Sequence, residues 1–125
     1  LGAAVAGLRA DGFALYAAVP GAAVALDDLD FSRAAAVMVG NEHEGLTAEA
    51  IAAADVRFGI PMHGLTQSLN LSVATALIVE RASTLRRAAL GAPTDLSEQA
   101  ILELRARFYA ASVRGAEVIL ARALS

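Results

Sequence analysis

Residues 37–80, VMVGNEHEGLTAEAIAAADVRFGIPMHGLTQSLNLSVATALIVE, decide how this chain is read, because they join two unusual turns by one short helix and one short strand. The first turn, Gly40-Asn41-Glu42-His43-Glu44-Gly45, follows the apolar run Ala34–Val39. The second, Ile60-Pro61-Met62-His63-Gly64, follows Val56–Gly59 and leads into Ser68-Leu69-Asn70. Both read as strand, glycine-bearing loop, helix. Ala34–Val39 is apolar without alternation, as a parallel strand covered on both faces should be. Thr47 is placed to N-cap a short helix running through Ala54. Val56–Ile60 is the next strand, ended by Pro61. A long helix is expected from about Ser68 to Leu90, apolar nearly all round as far as Val79 and arginine-bearing afterwards. Its first half should be buried and its second half exposed.

Working outward, Leu1–Arg9 reads as the end of a helix stopped by Asp11–Gly12, and Phe13–Ala18 as a short strand broken by Pro20–Gly21. A loop carrying Asp27, Asp28 and Asp30 leads to Ala34. Beyond the long helix, Gly91 and Pro93 act as stops, and Asp95 with Glu98 three residues later resembles a capping box. A last helix should run to about Leu124, with Ile101, Leu104, Phe108 and Ala111 forming a stripe that needs a partner. The alternation of strands and helices argues an α/β fold, a parallel sheet flanked by helices. Ligands of such sheets sit at the carboxyl ends of the strands, where the loops after Ala18, Val39 and Ile60 would meet.

Composition bounds the function without naming it. The 125 residues fit one domain or part of one. There is no cysteine, hence no disulfide framework and no thiolate site, and a cytoplasmic setting is expected. No apolar run approaches the roughly twenty residues of a membrane span. Residues 1–79 carry a net charge of −5 and residues 80–125 a net +2, which together give the chain's −3. A basic tail on an acidic body can meet phosphates. Equally, its arginines can line an ordinary solvated helix face.

A lone G-x-E-x-x-G would say little. Followed about twenty residues later by I-P-M-x-G and then by S-L-N-x-S-x-A, it resembles the second and third motifs of the SPOUT superfamily of methyltransferases. The likeness is greatest to the SpoU or TrmH branch, and it extends loosely over Phe13–Arg87. That resemblance implies an S-adenosylmethionine-dependent RNA 2'-O-ribose methyltransferase with a knotted α/β fold. Residues 1–90 would be the C-terminal part of the methyltransferase domain and residues 91–125 a C-terminal helical extension. The basic helical tail is nearest the TrmH branch, so the activity implied is tRNA (guanosine-18-2'-O) methylation, with rRNA the alternative substrate. A noncatalytic RNA-binding or dimerisation module of the same fold is a further alternative. Family members carry an earlier motif with an asparagine and an arginine, so the chain is expected to be the C-terminal part of a longer enzyme. A homodimer using the long helix and the C-terminal helix is also implied.

The residues can be weighed beside the resemblance. Methyl transfer to a ribose oxygen needs the hydroxyl aligned behind the methyl group and a weakly acidic proton removed, so positioning and a nearby base both contribute. The resemblance assigns catalytic roles to Glu42, Ser68 and Asn70, with Glu42 organising the site. Taken alone, Glu42 could merely cap backbone N–H groups, and Ser68 could be a simple N-cap. Gly40, Ile60 and Leu69 fall where the family lines its S-adenosylmethionine pocket, largely with main-chain groups. Ala18 and Met62 are expected on the same wall. His43 and His63 lack the H-E-x-x-H spacing of a metal site, and no metal is expected. Ser68 lacks a G-x-S-x-G elbow, and a chain without lysine has no P-loop. None of Arg9, Arg33 or Arg57 stands in the context of the family's arginine, so no general base is assigned.

Overall fold

Strand β1 (Ala14–Ala18) is the part on which the rest packs, because its side chains are buried on both faces of the sheet. Ala14, Leu15, Tyr16 and Ala17 are all buried. In the computed structural model, which describes residues 1–62 and 68–123, β1 pairs in parallel with β3 (Ala35–Met38) on one side and with β4 (Val56–Gly59) on the other. A two-residue strand, β2 (Val24–Ala25), pairs in parallel with the far side of β4. The order across the sheet is therefore β2-β4-β1-β3. Strand β4, last in sequence, lies between two strands that precede it. Strand β2 was not anticipated: two residues after Pro20–Gly21 give no periodicity to read, and only the neighbouring β4 makes them a strand.

Period-two alternation divides the side chains of β1 between two layers. Tyr16 joins Phe58, Phe31, Leu26, Leu29 and Ile78 in one core, with Ala82 and Leu85 packed against it. The long helix α3 (Leu71–Leu90) thus covers this face through Ile78, Ala82 and Leu85, at three- and four-residue spacing. The Tyr16 ring meets Phe31 edge to face, with centroids 5.6 Å apart, and its hydroxyl donates to the Asp30 carbonyl at 2.6 Å. Burial and the Asp30 charge raise the phenol's pKa. Leu15 and Ala17 point to the opposite layer, where α1 (Gly2–Ala10) and α2 (Ala48–Ala53) contact β1. Thr47 is the N-cap of α2, its side chain accepting from the Ala50 amide. This is the parallel sheet flanked by helices that the strand–loop–helix order implied.

Asp55 ties the second layer to the sheet. Its carboxylate accepts from the Leu15 amide and from the Arg9 guanidinium, both at 2.8 Å, while its own amide donates to the Leu15 carbonyl. Arg9 also donates to the Ala53 carbonyl. The Leu15 hydrogen bond, followed by the Arg9 contact, holds the Asp55 carboxyl below its ordinary pKa despite some desolvation.

Several expectations are corrected. Helix α3 begins at Leu71, and its N-cap is Asn70 rather than Ser68, because Asn70 accepts from the Ser72 amide. The first half of α3 is not buried: Val73, Leu77 and Val79 are 49%, 44% and 59% exposed. A helix lying on one sheet face buries one stripe however apolar its remaining sides are. Gly91, left-handed at φ +64, ends α3 as anticipated. The chain divides into two compact units, Leu1–Ala92 and Pro93–Ser125. In the second unit Ser97, not Asp95, caps the first helix by accepting from the Ala100 amide. The expected single helix is two, α4 (Glu98–Ser112) and α5 (Ala116–Ala123). Val113 turns extended and Gly115 takes φ +76, which breaks the ladder between them. Among the described residues no helix is long and apolar enough to cross a membrane. His63 and Gly64 of the second turn motif lie outside the described residues.

Candidate functional site

Because β1, β3 and β4 are parallel, the loops that follow them open on one edge of the sheet. They enclose a cavity of about 430 Å3, within the range of small-molecule sites. Ala18–Pro20 come from the end of β1, Val39–Gly45 from the end of β3 and Phe58–Ile60 from the end of β4; Met62, Ser68 and Leu69 close the wall. Ala74 and Ile78 of α3 form an apolar floor with Phe58.

The loop after β3 is shaped by contacts that leave little choice of residue. The Asn41 and Gly45 main chains exchange hydrogen bonds at 3.2 and 3.1 Å, closing a five-residue ring. Inside it, the Asn41 side-chain oxygen accepts from the His43 amide at 2.9 Å and the Glu44 amide at 2.7 Å. Gly45 takes φ +70, which a side chain would strain. At Gly40 the constraint is space, since a Cβ there would sit 2.1 Å from the Gly45 carbonyl carbon and 2.3 Å from the Leu46 nitrogen.

The ring presents Glu42 to the start of α3. The Asn70 side chain donates through Nδ2 to Glu42 Oε1 at 3.2 Å, while its Oδ1 caps the helix by accepting from Ser72 at 2.9 Å. Both ends of one amide are therefore used, one to start α3 and one to hold a carboxylate where the helix dipole favours negative charge. Glu42 and Asn70 are 28 residues apart in sequence. Seven of the eight residues singled out by sequence, Ala18, Gly40, Glu42, Ile60, Met62, Ser68 and Leu69, line the cavity. The eighth, Asn70, reaches it through Glu42. Sequence reasoning did not weigh Asn41. Its signal was available, because an asparagine opening a glycine-flanked turn commonly accepts from the amide two residues on. Among the described residues no group of three or more His, Cys, Asp or Glu could hold a metal ion.

The family model described as "SpoU rRNA Methylase family" matches residues 1–80, which include the whole of this site. The chain belongs to the SpoU methylase family. Among curated SpoU-type relatives, the tRNA (guanosine(18)-2'-O)-methyltransferase of Escherichia coli K12 is 41% identical over 88 residues, 70% of this chain and 38% of the relative. The enzyme of that name from Thermus thermophilus is 41% identical over 80 residues, 63% of this chain and 41% of the relative. The chain thus spans about two fifths of the length of these two relatives. The solved A. aeolicus TrmH/SpoU tRNA modifying enzyme superposes with a TM-score of 0.69 at 29% identity, over 90% of this chain and 58% of that one. AviRb of Streptomyces viridochromogenes, a SpoU methyltransferase solved in complex with AdoMet, gives 0.62 at 28% identity over 69% of this chain and 35% of that one. These neighbours place the parallel sheet and its flanking helices in the SPOUT class.

Proposed function

We propose that this chain is the cofactor-holding part of an S-adenosylmethionine-dependent RNA 2'-O-ribose methyltransferase that acts on tRNA, with guanosine 18 the preferred target and rRNA the alternative. The observation that carries this reading is the 3.2 Å hydrogen bond from Asn70 to Glu42, which joins the two turn motifs at the mouth of one cavity. The cavity suits the cofactor: an apolar floor of Phe58, Ala74 and Ile78 accepts an aromatic base, and Ser68 and Glu42 supply polar groups at the wall. When bound, S-adenosylmethionine supplies an activated methyl group. Gly40, Ile60 and Leu69 hold it chiefly through main-chain groups, with Ala18 and Met62 completing the wall. Glu42 organises the site, and Ser68 and Asn70 orient the ribose and the family's arginine. The net +2 of residues 80–125 favours phosphate contact.

Residues 1–90 then serve as the C-terminal part of the methyltransferase domain and residues 91–125 as its helical extension. The knotted threading of the superfamily accords with β4 lying between β1 and β2. A homodimer and a cytoplasmic setting complete the picture.

The test is a calorimetric titration of S-adenosylmethionine and S-adenosylhomocysteine into the 125-residue chain, with Leu69→Arg as the variant that obstructs the cavity. Binding by the parent chain and none by the variant is expected. A folded chain that still binds neither ligand when joined to a relative's upstream segment would leave the noncatalytic module as the better reading. Ribose methylation mapped on tRNA and rRNA by the same joined protein then identifies the substrate.

A further inference from the structure

We propose that Asn41 is a positioning residue for Glu42, acting through the ring it closes. The inference rests on the reading of Glu42 as a site residue, but its structural half stands without any cofactor.

A glutamate in a five-residue loop has many orientations, and ordering its backbone costs conformational entropy. Asn41 meets that cost locally. Its Oδ1 accepts from two successive amides, His43 at 2.9 Å and Glu44 at 2.7 Å, which flank the far side of Glu42. Its main chain is bonded in both directions to Gly45. Glu42 is therefore enclosed between Asn41, which precedes it, and the three following residues to which Asn41 is bonded. The carboxylate so placed receives the Asn70 amide, and that amide is itself fixed by capping α3. The loop backbone, held by the Asn41 bonds, connects Asn41 to Glu42, and hydrogen bonds continue from Glu42 to Asn70 and the first turn of the helix. Both side-chain bonds use the Asn41 oxygen as acceptor. An aspartate, which offers the same oxygen and no amide, should replace it; an alanine should not.

The test has two arms. In the first, the side-chain amide of Asn70 is followed by 15N-edited NMR in the ligand-free chain. Asn41→Ala should move this resonance as far as Glu42→Gln does, and Asn41→Asp should leave it close to the parent position. The Leu15 amide, bonded to Asp55 in the opposite layer, should stay put in all three and so reports that the fold is intact. In the second arm, S-adenosylmethionine affinity is measured in a double-mutant cycle. Asn41→Ala should weaken binding about tenfold in the parent and by less than about twofold in a Glu42→Ala background, because coupled residues are not additive. An Asn70 amide indifferent to Asn41→Ala, or a tenfold loss that persists without Glu42, overturns the proposal. Should the Leu15 amide move in Asn41→Ala, the comparison of Asn41→Asp with Glu42→Gln decides, since a displaced Asn70 amide in the aspartate variant also overturns it. A parent chain that binds no cofactor counts against the proposed function alone, because the first arm still decides on Asn41.

Discussion

Gly40 shows how little freedom a single position has at this site. Its φ is not positive, so an alanine would suit the backbone; what forbids one is the Gly45 main chain folded against it, 2.1 Å from where a Cβ would lie. Backbone cannot rotate away as a side chain can, so Gly40→Ala must open the Asn41–Gly45 ring or shift the end of β3. Overpacking of this kind costs about 1–3 kcal/mol, read as a lower urea midpoint with an unchanged slope. Cofactor affinity should fall with it, since the same ring forms one wall of the cavity. A Gly40→Ala chain as stable as the parent and equally able to bind would mean that the ring yields to an added methyl group. At this scale the sequence was most legible for residues with a motif around them. Glu42 and Asn70 could be picked out by resemblance, but the bond between them crosses 28 residues and has no periodic signature.

Among the elements, the junction of α1, β1 and the α2–β4 corner depends on one carboxylate. Asp55 bonds to the Leu15 amide and the Arg9 guanidinium, and those contacts lower its pKa below the ordinary carboxylate value. A depressed carboxylate favours the folded state at every pH above its unfolded value, ordinarily near ~4. That contribution is lost as pH falls from there through the lower folded value. Thermal melts from about pH 7 down to about pH 2 should therefore show the parent losing its advantage over Asp55→Asn below about pH 4. At neutral pH the variant should be less stable by about 1–2 kcal/mol, since a partly exposed charged acceptor is replaced by a neutral one. A difference that does not change with pH would assign the role to shape rather than charge. Sequence reading held no hint of this staple, for Asp55 merely followed a helix end. By contrast, Thr47 as N-cap and Gly91 as C-terminal stop were readable, because capping is written within four residues. Helix α3 was readable as a helix but not in its burial, since periodicity reports which residues are apolar and not how many sides of them a sheet will cover.

For the molecule as a whole, the exposed apolar residues of α3 speak for a second copy. Val73 and Leu77 are one turn apart on the side turned away from Ile78, while Val79 lies on the opposite flank of the helix; all three are more than two fifths exposed. The Val73–Leu77 face needs a cover, but two side chains supply only part of the roughly 800 Å2 per partner of a standard interface. In the second unit, Leu104 and Phe108 are likewise one turn apart and exposed, 42% and 66%. A dimer that uses both helices should be destabilised at either one. Sedimentation equilibrium of the parent chain should give twice the monomer mass. Leu77→Asp should give the monomer, because burying an unpaired carboxylate in an apolar contact costs more than the contact returns. Phe108→Ser should weaken association by about tenfold or more, the loss usual for an aromatic anchor. Circular dichroism should be unchanged in both variants, since neither side chain belongs to the core around Tyr16 and Phe58. A parent chain that sediments as a monomer removes the dimer. A Leu77→Asp chain that stays dimeric moves the interface off α3, and a Phe108→Ser chain of parental affinity confines it to the first unit.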